Sequence, residues 1–215
     1  MVVILLGPPG VGKGTQGALL AEATGARHVA TGDLLRAARR EGTALGQQAQ
    51  GYMDRGELVP DQLIIDLVRE VLDQLEPGTG VVLDGFPRTV PQAGALDRAL
   101  AEVGRRVDRV IALEADDEVL VKRMGGRRSC PQCGAVYNVH FNPPAREGKC
   151  DRDGADLVHR TDDDAKTVRH RLEVYRRDTE PLIRFYSGGA AQLERVGADR
   201  PVEEVQEALR EAVQA

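Results

Sequence analysis

The chain has 215 residues, 41% hydrophobic and 29% charged, with a formal net charge of −5. That is enough to bury a full core as one domain, with or without insertions, and the balance is that of a soluble globular protein. The acidic excess, only 3% aromatic residues and no tryptophan exclude a basic surface or stacking platform for nucleic acid or anionic lipid, so any polyanion must meet a local cationic cluster. The leading run MVVILLGPPG is shorter than a signal core and lacks a basic flank, and no apolar segment reaches bilayer length. Three cysteines bunched between 130 and 150 are not a secreted disulfide framework, and a cytoplasmic protein is expected.

In chain order, VVILL (Val2–Leu6) is a continuous apolar run ending at glycine, the pattern of a buried parallel strand. A helix follows and stops near Gly25; RHVA (Arg27–Ala30) is a weaker strand candidate. Gly80–Asp84 and Asp108–Ala115 read as further buried strands and Gln192–Ala198 as a weaker one. Amphipathic helical stretches cover 60–75, 89–102, 116–125, 164–178 and 201–213, with Pro60 and Pro201 in first-turn positions. Strands alternating with helices predict an α/β fold, an open parallel sheet with helices on both faces. Two segments break the alternation: 31–58 reads as helices with no strand between them, and 127–163 is rich in Gly, Pro, Asp, Arg and Cys. Both look like insertions from one core.

GPPGVGKGT (Gly7–Thr15) nearly matches the phosphate-loop signature G-x-x-x-x-G-K-[ST], with Gly14 where a magnesium-binding hydroxyl would stand. A strand, a glycine-rich loop and a helix beginning near Lys13 are the required context: backbone N–H groups approach an anion, the helix N-terminus adds positive potential, and Lys13 supplies a point charge. Asp84 ends a buried strand at the edge where ligands sit in open α/β sheets, and it can hold magnesium directly or through water. Arg88, four residues on, reaches the same cleft. Lysine occurs only at 13, 122, 149 and 166; genome composition explains most of that arginine bias, and rigid bidentate phosphate clamps the remainder.

GPPGVGKGT, TGDLLR (Thr31–Arg36), DGFPRT (Asp84–Thr89) with Gln92, and GRR (Gly126–Arg128) with RTDDD (Arg160–Asp164) together resemble the adenylate kinase family, in order and through essentially the whole chain. The resemblance implies a P-loop kinase core, a five-stranded parallel sheet flanked by helices, made of residues 1–29, 60–126 and 165–215. Residues 30–59 would form the AMP-binding subdomain and 127–164 a lid closing over ATP. The implied reaction moves the γ-phosphoryl of Mg·ATP to AMP, giving two ADP, in a monomer whose partners are these nucleotides and neither nucleic acid nor membrane. Lys13, Arg88, Arg127, Arg160 and Arg171 would be catalytic. Gly10, Val11, Gly12, Lys13, Gly14, Thr15, Arg123, Arg127, Val136, Tyr137 and Arg200 would hold ATP. Thr31, Gly32, Arg36, Glu57, Leu58, Val59, Gly85, Arg88, Gln92, Arg160 and Arg171 would hold AMP, with the Gln92 amide suited to an adenine edge. Gly14 is in the family's pattern, so magnesium should rest on phosphate oxygens and water, Asp84 should act through those waters, and Thr15 should contact phosphate. The four histidines, at 28, 140, 159 and 170, match no catalytic position and read as surface or capping residues; Asp162 and Asp163 either pair with arginines or form a solvated turn.

CPQCG and CDRD give Cys130-x2-Cys133 and Cys150-x2-Asp153, the spacing of a ribbon whose two knuckles hold one tetrahedral zinc. Asp153 stands where the fourth cysteine would be, as in lids of related bacterial enzymes, with Asp151, Asp156 and His159 as substitutes. Four protein ligands close a site, so the zinc would be structural. Two rivals remain: a related kinase acting on UMP, CMP or GMP or taking GTP as donor, disfavoured by TGDLLR and Gln92, and a zinc-ribbon nucleic-acid ATPase, disfavoured by the charge balance.

Overall fold

A computed structural model describes residues 1–214. In chain order the elements are β1 (Val2–Leu6), α1 (Lys13–Thr24), β2 (Arg27–Ala30), α2 (Thr31–Arg40), α3 (Ala44–Arg55), α4 (Asp61–Asp73), β3 (Val81–Asp84) and α5 (Val90–Glu102). Then come β4 (Arg109–Glu114), α6 (Asp117–Gly125), β5 (Arg127–Ser129), β6 (Val136–Asn138), α7 (Ala165–Val174), α8 (Pro181–Ser187), β7 (Gln192–Gly197) and α9 (Val202–Gln214). Five strands form one parallel sheet in the order β2-β3-β1-β4-β7. β1 is buried along its length and feeds both cores alternately: Val2, Ile4 and Leu6 pack on one face with Leu96 and Leu100 of α5 and Leu182 of α8, while Val3 and Leu5 pack on the other with Leu20 of α1 and Leu209 of α9. No helix of the described residues is long and apolar enough to cross a membrane.

Strand order reverses at β1, whose neighbours lead away to β2 on one side and β7 on the other, so a crevice opens at the strands' C-terminal ends. α2 and α3 hang from the end of β2, and β5 and β6 form a separate antiparallel pair after α6.

Several expectations need correction. The helix read over 164–178 ends at Val174 and widens into a π-helical turn, Tyr175–Thr179, closed by Glu180 N–H donating to the Tyr175 carbonyl at 2.9 Å. Pro181 explains this: it has no N–H for the Arg177 carbonyl and its ring would crowd that oxygen. α8, β5 and β6 were not read from sequence; they have seven, three and three residues, too short to establish a period. Pro60 and Pro201 stand one residue ahead of α4 and α9 rather than inside the first turn.

α2 and α3 meet at Gly46, where a Cβ would lie 2.3 Å from the Ala38 carbonyl carbon and oxygen. Backbone cannot yield as a side chain would. Gly46→Ala is therefore expected to destabilise the protein by about 1–3 kcal/mol and to raise KM for the ligand of the α2–α3 segment several-fold, leaving KM for the P-loop ligand within twofold. Thermal unfolding and two-substrate kinetics measure both.

Candidate active site

The chain leaves β1 through Gly7–Gly12 and enters α1. At Gly7 (φ +145°) a Cβ would lie 2.6 Å from the Leu113 carbonyl oxygen, and at Gly10 (φ +86°) 2.8 Å from the Met124 side chain, so only glycine brings the loop this close to the sheet and α6. Val11 is buried, Gly12 caps α1, and Gly14 and Thr15 are exposed in its first turn. Lys13 bends back over the loop, Nζ donating to the carbonyls of Gly7 at 2.7 Å and Pro8 at 3.0 Å. Burial lowers its pKa to about 8; Asp84 opposes the shift, while Arg88, Arg171 and Arg127 add to it. Asp84 lies at the end of β3, with Oδ2 only 3.5 Å from where a Cβ at Gly14 would be. The missing side chain at 14 thus leaves room between the loop and that carboxylate.

A cleft beside the loop is lined by Thr31, Gly32, Arg36, Glu57, Leu58, Val59, Gly85, Arg88, Gln92 and Arg171. These are the residues expected from sequence for the acceptor side, save Arg160, which lies outside the lining. Leu35, Met53, Gly56, Ile64 and Asp162 also line it and were not foreseen there. The buried Thr31 hydroxyl donates to the Gly85 carbonyl at 2.8 Å, tying α2 to the end of β3. Arg36 pairs with Asp33 at 2.6 Å. Gln92, 1% exposed, accepts from the Arg88 N–H through Oε1 and donates to Asp61 through Nε2, both at 2.7 Å. Its amide is therefore half committed to positioning Arg88, with one hydrogen and one lone pair left for a base edge.

A second cleft, lined by Gly7, Lys13, Tyr175 and Thr179, shares Gly56, Leu58, Gly85, Arg88 and Arg171 with the first. Arg88 folds back so that Nε donates to the Gly85 carbonyl at 2.8 Å; Gly85 (φ +75°) permits this because a Cβ there would lie 2.8 Å from the Arg88 guanidinium. Arg127 grips the buried Asp163 carboxylate in a fork, Nε to Oδ2 at 2.7 Å. Arg171 contacts Asp162 Oδ2 at 2.7 Å and Asp163 Oδ1 at 3.2 Å, and Arg160 Nε donates to Ser129 Oγ at 2.8 Å. Asp162 and Asp163 are thus paired rather than solvated. Burial, reinforced by neighbouring arginines, lowers Arg160 to about 9 and Arg171 to about 10, and lowers Arg88 as well. Burial disfavours the Asp162 carboxylate, but Arg171, Arg127, Arg160 and Arg36 outweigh it and hold its pKa below the ordinary value.

A family model described as adenylate kinase matches residues 5–190. The chain belongs to the adenylate kinase family. It is 48% identical over 207 residues to an adenylate kinase of Geobacillus sp. strain WCH70, covering 93% of this chain and 96% of that one. Against the adenylate kinase of Carboxydothermus hydrogenoformans identity is 46% over 214 residues, covering 100% of both chains, and against that of Thermodesulfovibrio yellowstonii 51% over 187 residues, covering 87% of each.

The segment between α6 and α7 carries the cysteine cluster. Two matched knuckles build it: Cys130 N–H donates to the Ala135 carbonyl and Gly134 N–H to that of Cys130, while Cys150 N–H donates to Ala155 and Gly154 N–H to Cys150. Asp153 occupies in the second knuckle the place of Cys133 in the first. Ligand atoms of Cys130, Cys133, Cys150 and Asp153 all lie within 4.8 Å of one another, with Cys133 and Cys150 sulfurs 3.5 Å apart. A tetrahedron with Zn–S of about 2.3 Å spaces its sulfurs roughly 3.8 Å apart, so the cluster fits zinc. Of the substitutes, Asp156 pairs with Lys149 and Asp151 accepts from the Ala145 N–H. Against a lowering bond from Ala135, neighbouring Asp153, Cys150 and Cys130 push the Cys133 thiol up to about 12, the crowding that a divalent cation relieves.

Arg123 donates to the carbonyls of Val11 and Ala198, binding the P-loop to the loop before α9. Phe141, 52% exposed, lies over Lys122 and Arg123, 5.5 and 5.6 Å from its centroid; it is one of three phenylalanines, the signal by which it was findable. Val136 is exposed, whereas the Tyr137 side chain is buried against Cys150 and its backbone pairs with Arg128 in the β5–β6 ladder; Arg200 lies exposed, Nε on the Gly197 carbonyl. His140 and His159 are surface residues as expected. His28 and His170 are not simply so: His28 Nε2 is shut from solvent 3.8 Å from Asp84 Oδ2, and His170 Nε2 lies 2.6 Å from Glu57 Oε1.

Lys13 generates a pH prediction. Its folded pKa is depressed to about 8, and the protonated form is the one that attracts phosphate, so that form disappears as pH rises through 8. kcat/KM for Mg·ATP should be flat near neutrality and fall roughly tenfold per pH unit above the break. The break in kcat should come at higher pH, because bound phosphate stabilises the ammonium. A level kcat/KM profile from pH 7 to 9.5 would remove Lys13 from donor binding.

Proposed function

We propose that the chain carries the γ-phosphoryl of Mg·ATP to AMP across the junction of the two clefts, and returns it in the reverse direction. The carrying observation is that Arg88 and Arg171 line both clefts, with Lys13 on one side and Thr31, Arg36 and Gln92 on the other. The attacking oxygen is already a phosphate oxygen, so no general base is required. The work lies in holding two polyanions in line while negative charge moves between them. Lys13 would leave its loop carbonyls for the β and γ phosphates, Arg36 and Arg88 would hold the AMP phosphate, and Arg123, Arg127, Arg160 and Arg171 would converge on the phosphate chain. Gly10–Thr15, Val136, Tyr137 and Arg200 would hold the rest of ATP, and Thr31, Gly32, Glu57–Val59, Gly85 and Gln92 the rest of AMP. Magnesium supplies further neutralisation of the β and γ phosphates, and Asp84, across the gap at Gly14, would orient its waters.

In this reading residues 30–59 are the AMP-binding subdomain, 127–164 the lid, and the remainder the core. The lid excludes water, which would otherwise accept the phosphoryl group; the adenylate kinase lid is a standard example of such closure. Cys130, Cys133, Cys150 and Asp153 would hold a structural zinc. The enzyme acts as a cytoplasmic monomer without nucleic acid.

Coupled measurement of ADP at fixed Mg·ATP, comparing AMP with UMP, CMP and GMP, tests the assignment. AMP should exceed each alternative by at least about a hundredfold in kcat/KM. Comparable use of UMP or CMP would replace it, and nucleic-acid-stimulated hydrolysis without AMP-dependent transfer would overturn it. Elemental analysis of the same sample should find about one zinc per chain, and chelation should lower the melting temperature by several degrees. A metal-free protein with an unchanged melting curve would refute the structural zinc.

A further inference from the structure

The backbone carbonyl of Arg88 is held by a side chain from a distant part of the chain. Arg88 directly precedes Thr89, the N-cap of α5, so its carbonyl lies ahead of the helix's own bonding. The hydroxyl of Thr179, which is 7% exposed, donates to that carbonyl at 2.9 Å across 91 positions of sequence. With Gln92 on the Arg88 N–H and Gly85 on its Nε, three contacts fix the residue while its terminal nitrogens make no hydrogen bond among the described residues. Thr179 is the last residue of the π-helical turn, whose extra residue per turn rotates the side chain relative to an α-helical continuation of α7. The same α7 presents Arg171 to both clefts.

We propose that Thr179 is a positioning residue for phosphoryl transfer: through the Arg88 carbonyl, the π-helical turn sets Arg88 in register with Arg171 and Lys13. This rests on the adenylate kinase reading above. Arg88 is a planar fork whose two-point grip on a phosphate depends on the angle of its backbone, so a lost anchor reduces transfer without unfolding the site. A hydroxyl that served only the turn would act on stability and would leave the two substrates equally affected.

The experiment compares Thr179→Val, which keeps the shape and removes the donor, with Thr179→Ser, which keeps the donor. Each is made in the wild type and in Arg88→Lys, which retains a measurable cation but loses the fork. Wild-type enzyme must show AMP-dependent ADP formation; if it does not, the underlying reading fails and this inference with it. Given that activity, Thr179→Val should lower kcat/KM for AMP ten- to a hundredfold, with KM for Mg·ATP within twofold. Thr179→Ser should recover to within about threefold, and the Val substitution should cost less than threefold on the Arg88→Lys background. Melting curves run alongside separate loss of fold from loss of register. The proposal is overturned if Val behaves as wild type, if Ser is as poor as Val, if KM for Mg·ATP rises as far as KM for AMP, or if the full loss persists without the Arg88 fork.

Discussion

Repulsion among like charges is the constraint around which this site is built. Lys13, Arg88 and Arg171 line the crevice and Arg127 and Arg160 stand close behind it, and burial and mutual repulsion depress Lys13, Arg160 and Arg171 well below their ordinary values. The protein contains that repulsion with two carboxylates, Asp162 and Asp163, and with backbone carbonyls under Lys13. Asp163 is fully buried and gripped by two arginines, whereas Asp162 lines the first cleft beside Arg171. An incoming polyanion relieves repulsion that folding has stored, and the preorganised charges need no reorganisation as the phosphoryl moves.

Several close approaches make such crowding geometrically possible. Gly7 and Gly10 press the phosphate loop onto the sheet and α6, Gly85 lets Arg88 fold over its own strand end, and Gly14 leaves the gap facing Asp84. The helices α2 and α3 share the same economy at Gly46. At Gly85 and Gly14 the neighbours are charged, the Arg88 guanidinium and the Asp84 carboxylate, and close approach strengthens their interactions in a site with little water.

Much of this was legible in the residues. β1 was readable because a strand buried on both faces is apolar throughout, and the P-loop because its glycines, lysine and flanking elements form one pattern. TGDLLR and DGFPR pointed to residues that line the first cleft, and knuckle spacing pointed to Asp153, whose carboxylate lies among the three cysteine sulfurs. What sequence did not disclose depends on tertiary contact. Gln92 reads as a base-recognition residue, yet both ends of its amide also anchor Arg88 and Asp61. The π-helical turn before Pro181 has no compositional sign, and β5 and β6 are too short for alternation. His28 and His170 look like surface residues until folding brings Asp84 and Glu57 beside them.

The cysteine cluster and the buried arginines are connected through the frame of residues 127–164. Arg127 and Arg160 lie far apart in sequence, on either side of the cysteine segment. Their approach depends on β5 pairing with β6, on the bridge between Ser129 and Val158, and on the bond from Arg160 to Ser129. The two knuckles follow directly from that frame, and the lid's buried cluster is only Cys130, Ala135, Tyr137 and Cys150. So small a core cannot offset the entropy of ordering the segment. A metal that joins the knuckles therefore holds the two arms in register as well as the lid's tip, and Thr161, donating to Asp54, carries that register to the α2–α3 segment. The cysteine segment and the α2–α3 segment are thereby tied to each other through residues that follow directly on Arg160.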